Sequence, residues 1–219
     1  MKYSYTATAL LALQGAVASP LSKRACSSAV TLSPGSNPFT GRTLYANKFY
    51  ADEVKTAAAA ISDSSLSAKA AKVGSIGTFM WIDTIAKVSS VEEQIKDVPC
   101  DNIMGLVIYD LPGRDCAAKA SNGELPVGSL ARYKSEYIDP IVAILKKYPN
   151  TAFALVIEPD SLPNLVTNAD LTTCQNSAQG YKDGVAYALK SLNLPNVAMY
   201  IDAGHGGWLG WNDNLSEFA

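Results

Sequence analysis

Acidic residues recur in this chain at one kind of place, the end of a short apolar run. GTFMWID ends in Asp83, IMGLVIYD in Asp110, AFALVIEPD in Glu158 and Asp160, and VAMYID in Asp202. A carboxyl group set among other carboxylates and apolar walls has a raised pKa, because its charged form is poorly solvated and repelled. Such a group serves as a general acid near neutral pH. Asp160, two residues after Glu158, has this setting; the competing reading is that it caps the turn that follows. The densest stretch is Val107 to Gly123, VIYDLPGRDCAAKASNG. Asp110 and Asp115 read there as a second acidic pair with Arg114 between them, against the alternative of a surface salt bridge of little energetic value. Cys116, directly after Asp115, would pin the loop through a disulfide. Ser121, in SNG, reads as a turn residue with a contact to substrate as its alternative.

Trp81, Trp208 and Trp211 fall at or just beyond the ends of apolar runs. Flat aromatic faces there suit the apolar faces of sugar rings, although core packing is the alternative for each one taken singly. His205, in DAGHGGW, divides evenly between a structural role and a place in the site. There is no GxGxxG or P-loop pattern. Paired carboxylates, aromatic platforms and no nucleotide motif point to hydrolysis of a glycosidic bond, which needs an acid, a base and little else.

Strands and helices must carry these groups. The runs 77–83, 103–110, 152–158 and 197–202 read as strands, and their near-continuous apolar character suits a parallel sheet buried on both faces. Helices are expected over 49–61, 64–73, 128–148 and 178–192, with Pro140 kinking or breaking the third. Ser90 and Glu93 form a capping-box pattern ahead of a shorter helix. Residues 26–44, rich in Ser, Pro, Gly and Thr, read as an extended segment. Strand–helix alternation defines an α/β fold, and acids at every strand end place a site along one edge of its sheet. Four strands cannot close a barrel.

The 219 residues are 48% hydrophobic with a formal net charge of −2, enough for one sizeable core and without the basic surface of a nucleic-acid binder. Lys2, the apolar run Ala7 to Leu13 and Ala16-Val17-Ala18 form a signal-peptide pattern over 1–18. Residues 19–24 end in Lys23-Arg24 and read as a short propeptide; an exported, extracellular protein is expected. No run is long enough to cross a membrane. Cys26, Cys100, Cys116 and Cys174 lack CxxC spacing and accompany a single histidine, so disulfides are expected rather than a metal site. Three pairings are open. Asn214-Leu215-Ser216 is a glycosylation sequon.

VIYDLPGRDCAAKASNG and ALVIEPDSLPNLVTN resemble the two signature motifs of glycoside hydrolase family 6, and GTFMWIDT and NLPNVAMYIDAGHGGWLGW resemble two further blocks of it, in family order. The resemblance implies a distorted parallel (β/α) barrel, of which about the first half is present as a partial catalytic domain over 45–219, preceded by an extended segment over 25–44. It implies inverting hydrolysis of β-1,4-glucosidic bonds in cellulose, in the manner of a cellobiohydrolase. The alternatives are an endo-acting glucanase, or a fragment that binds glucan without cutting it. By motif position, Asp160 corresponds to the general acid, Asp115 to the aspartate that supports it, Arg114 to the arginine that orients Asp115, and Tyr109 to the tyrosine that presses on the distorted sugar. Ser121 corresponds to a mobile-loop serine near the attacking water. Trp81, Asp83, Asp202, His205, Trp208 and Trp211 correspond to residues lining the sugar subsites, and Cys116 with Cys174 to a disulfide. Cys26 and Cys100 have no assignment. Gly113 stands where many relatives carry an acid or amide. The family's later strands and its proposed base have no counterpart in this sequence, so the chain expressed as given is expected to be inactive on cellulose or insoluble. We expect a monomer acting on β-1,4-glucan, with no cofactor, no metal, and neither nucleic acid nor membrane as partner.

Overall fold

The computed structural model describes residues 26–118 and 120–219. The expected signal peptide and propeptide lie outside the described residues. Among those described, five strands form one parallel sheet: β1 (Thr43–Leu44), β2 (Phe79–Ile82), β3 (Asn102–Ile108), β4 (Ala152–Ile157) and β5 (Val197–Ile201). β3 is the centre. β1 and then β2 follow one another along one side of it, while β4 and β5 continue from the other. Four strands were expected. The fifth, β1, closes the extended segment and is only two residues long, defined by pairing Thr43 and Leu44 with Asn102 and Ile103; no periodicity can show in two residues.

Side chains alternate between the sheet's faces. Met104, Leu106 and Ile108 of β3 and Phe153, Leu155 and Ile157 of β4 are buried in the main core with Val91, Ile95, Ile141, Leu145, Tyr181 and Val185. On the other face, Phe79, Gly105, Ala154 and Ala198 stand in one row across four strands. The Phe79 ring fills the space above Gly105, where a Cβ would come within 2.7 Å of it. Val30, Leu32 and Phe39 of the extended segment pack against this face. The segment is tied to the sheet by Val30 N–H to Pro149 O and Leu32 N–H to Pro195 O, both 2.8 Å.

The helices are α1 (Lys48–Ala59), α2 (Ser64–Ala71), α3 (Val88–Ile95), α4 (Leu130–Arg132), α5 (Asp139–Lys147), α6 (Ser161–Thr167), α7 (Thr172–Ser191) and α8 (Asn212–Phe218). Asn47 and Asp63 cap α1 and α2 through their side chains. Ser90 does not cap α3. The helix starts two residues before it, at Val88, and the Ser90 hydroxyl turns back to Lys87 O at 2.6 Å. The helix expected over 128–148 is broken as Pro140 requires: a π-helical stretch, Tyr133–Ile138, separates α4 from α5. Pro140 offers no N–H, and its ring crowds the carbonyl four residues back; the wider turn accommodates both. α7 begins at Thr172, earlier than expected, which brings Cys174 into its first turn.

Two disulfides form, Cys116–Cys174 and Cys26–Cys100. The first ties the loop after β3 to α7 and closes 58 residues of chain; by loop entropy that closure is worth about 4 kcal/mol. The Cys116→Ser/Cys174→Ser protein should lose about 2–4 kcal/mol in urea unfolding. A loss below about 1 kcal/mol would show that the loop is held by its other bonds alone.

Candidate active site

The loop after β3 is built on a sharp turn. Tyr109 and Asp110 leave the strand, Arg114 N–H returns to Leu111 O at 3.0 Å, and Asp115 follows in a left-handed conformation with φ 55°. Tyr109 donates its hydroxyl to Asp115 Oδ2. Its ring meets Trp81 of β2 edge-on at 5.1 Å and lies under the Arg114 guanidinium at 4.3 Å.

Arg114 does not orient Asp115 through a salt bridge. Its guanidinium gathers backbone carbonyls, those of Asp83 at 2.7 Å, Ser121 at 2.9 Å and Tyr109. It therefore joins the ends of β2 and β3 to the Ser121 turn, and the group on the Asp115 carboxylate is the Tyr109 hydroxyl. Asp110 is fully buried, with Arg114 Nη1 3.5 Å from its Oδ1 and no hydrogen bond to either oxygen among the described residues. The expected Asp110/Asp115 pair is thus divided, Asp110 beneath the loop and Asp115 upon it. Asp83 turns its own carboxylate to Lys87, at 2.7 Å.

Asp160 begins α6 with φ 64° and makes no side-chain capping bond. The capping alternative falls on this geometry: the carboxyl is left free while the backbone does the work. Asp160 O receives the N–H and the side-chain amide of Asn164, and Asp160 N–H donates to Asp202 Oδ2 at 2.9 Å. Burial, then the charges of Asp202 and Asp115, raise the Asp160 pKa; His205 opposes them. Asp115, Asp160, Asp202 and His205 therefore share one electrostatic neighbourhood. His205 lies 6.0 Å from the Trp208 ring. Trp211 is 67% exposed at the start of α8 and is not drawn into this cluster.

Three groups lie beneath the site; the sequence marked Glu158 only as an acid at a strand end, and Tyr133 and Tyr137 only as residues of a core-facing helix side. Glu158, buried and with φ 47°, accepts Asp110 N–H and Leu111 N–H at 3.1–3.2 Å and the Tyr133 hydroxyl at 2.8 Å. The Tyr137 hydroxyl accepts Tyr109 N–H at 2.9 Å and donates to Ile82 O. The available signal was chemical: two tyrosines four apart on an apolar helix face need buried partners for their hydroxyls.

The carboxyl edge of the parallel sheet thus gathers acids beside aromatic rings. Residues 39–219 match the family model Glycosyl hydrolases family 6, and the chain belongs to that family. It is 59% identical over its whole length to the 1,4-beta-D-glucan cellobiohydrolase CEL6C of Podospora anserina, of which it spans 58%. It superposes on the catalytic core of the cellobiohydrolase Cel6A from Chaetomium thermophilum with a TM-score of 0.78 at 43% identity, over 84% of this chain and 54% of that one. It matches the Humicola insolens cellobiohydrolase II, solved with glucose and cellotetraose, with the same score at 40% identity, again over 84% and 54%. The chain thus spans about half the length of these relatives.

Burial pushes Glu158 up to about 8 against the pull of its three donors, and pushes Asp110 up to about 7 with the nearby Glu124 carboxyl adding to the effect. Both shifts are upward, so the folded protein holds protons that the unfolded chain has released. Stability is therefore greatest below about pH 4 as far as these two groups are concerned, and falls as pH rises to about 8, by ~1.4 kcal/mol per pH unit for each extra proton held. Denaturant unfolding at pH 5, 6, 7 and 8 should show this fall, and Asp110→Asn should flatten the part below pH 7. A wild-type stability that rises over this range would contradict it.

Proposed function

We propose that this chain carries the acid side of an inverting β-1,4-glucan hydrolase of the cellobiohydrolase type, secreted and monomeric. The observation that carries the reading is the Asp160 carboxyl, free of any capping bond and raised in pKa by burial and by Asp202 and Asp115. A carboxyl whose pKa is raised in this way gives its proton to the glycosidic oxygen as the bond from the anomeric carbon to that oxygen breaks. Water attacks the opposite face of the sugar in the same displacement, so configuration inverts. The Asp115 charge adds to burial and Asp202 in raising the Asp160 pKa, and Tyr109, packed between Trp81 and Arg114, presses on the sugar at the cleavage point. Arg114 holds the Ser121 turn by its backbone, placing Ser121 near the water. Trp81, Asp83, Asp202, His205, Trp208 and Trp211 line the path of the glucan. A signal peptide over 1–18, a propeptide over 19–24 and the two disulfides fit an extracellular protein, with 45–219 read as a partial catalytic domain.

A second reading, glucan binding without hydrolysis, has an observation of its own. Among the described residues β5 pairs only with β4, and Tyr200 and Ile201 on it are 43% and 49% exposed.

Sugar release from amorphous cellulose and affinity for cellotetraose separate the two. Release by the wild-type chain, lost about 10²–10⁴-fold in Asp160→Asn with affinity kept, supports the hydrolase reading and overturns the inactivity expected from the sequence. Affinity without release from the wild-type chain supports the second reading, and neither activity sinks both. Where release is seen, proton NMR of the first products should show the α-anomer; the β-anomer would exclude inversion.

A further inference from the structure

Trp208 is held from both ends. Its indole N–H donates to Oγ1 of Thr167, the last residue of α6. Its backbone carbonyl accepts a hydrogen bond from Asn214 Nδ2 at 2.7 Å, in the first turn of α8. Its own N–H donates to His205 O at 2.8 Å. Gly204 lies against the ring, where a Cβ would stand 3.0 Å away. Trp211, three residues on, has none of this framing and is mostly exposed. The two bonds matter for the site because α6 is a short rigid rod. It carries Asp160 at its start and Thr167 at its end, a rise of about 10 Å at 1.5 Å per residue. Any group hung on Thr167 is therefore placed with respect to the Asp160 carboxyl.

Asn214 is also the acceptor residue of the sequon Asn214-Leu215-Ser216. The nitrogen to which a glycan would be joined is the one that donates to the Trp208 carbonyl, and it is turned inward to do so. We propose that Thr167 and Asn214 are the positioning residues of Trp208, and that the Asn214 side chain is a latch on the Trp208 loop and not a glycan acceptor. The use of Trp208 as a sugar platform rests on the hydrolase reading above; the latch itself does not.

The test uses the full chain from a glycosylating yeast host, with tryptophan indole N–H exchange followed by NMR. The Trp208 signal, identified by its loss in Trp208→Phe, should exchange slowly. Thr167→Val and Asn214→Gln should each speed it at least tenfold, and Thr167→Ser should restore it. Ser216→Ala destroys the sequon but leaves Asn214 in place, so it should match the wild type. Peptide mass spectrometry should find Asn214 without glycan. Asn214→Gln and Ser216→Ala behaving alike, or a glycan on Asn214 in the folded protein, would overturn the latch. Cellotetraose affinity should fall about tenfold in Thr167→Val and in Asn214→Gln. An unchanged affinity in Trp208→Ala, with the exchange effects intact, would instead remove Trp208 from the sugar path and leave the latch standing.

Discussion

The site depends on one buried carboxyl group, Glu158. β3 and β4 run parallel with Ile108 opposite Ile157, so the residue after β4 falls beside the chain leaving β3. There the backbone N–H groups of Asp110 and Leu111 have passed beyond any strand partner, and Glu158 receives both. Buried donors left unmatched would each cost about 1–3 kcal/mol. The third donor, Tyr133, comes from the π-helical stretch that Pro140 imposes. One turn on, Tyr137 bridges Ile82 O and Tyr109 N–H. Two phenols from one irregular turn thus stitch the carboxyl ends of β2, β3 and β4 together, and the loops bearing Asp115 and Asp160 diverge from a fixed point.

That fixed point is loaded with backbone strain. Asp115, Ser121, Glu158 and Asp160 are the non-glycine residues with positive φ among the described residues, and all belong to the site or its base. Such conformations cost on the order of 1–3 kcal/mol each and persist only where the surroundings over-determine them. The determinants are visible. Asp115 is followed at once by the Cys116–Cys174 disulfide. Ser121 has its carbonyl on Arg114. Asp160 has its N–H on Asp202 and its carbonyl on Asn164. At Ser121 and Asp160 the bonds are made by the backbone, while the Asp115 carboxylate keeps the Tyr109 hydroxyl.

The sheet and most helices were legible because their signals are local. Apolar runs of four to seven residues became β2 to β5, and acids at their ends became the site edge. What escaped was set by partners far along the chain. Ser90 and Glu93 satisfy the local capping pattern, yet the turn before them is already helical. The Glu158 bonds to Asp110 and Leu111 span nearly fifty residues, and no spacing rule predicts them. Asn214 carries a three-residue motif with one familiar meaning, while its structural partner, Trp208, is six residues back. Local pattern locates chemistry; the bonds that aim it are tertiary.

Arg114 shows why that aiming matters. An arginine beside Asp115 invites the reading of a salt bridge, and a paired Asp115 would have lost much of its field. The structure commits the guanidinium elsewhere, to three carbonyls and to the face of the Tyr109 ring. The carbonyls and the ring are dipoles and a quadrupole, and the carboxylate beside the guanidinium is the buried Asp110, 3.5 Å from Nη1, not Asp115. Asp115 keeps a phenol as its hydrogen-bond partner, so its charge still repels a proton's departure from Asp160. The cation organises the loops and leaves the Asp115 charge acting on Asp160.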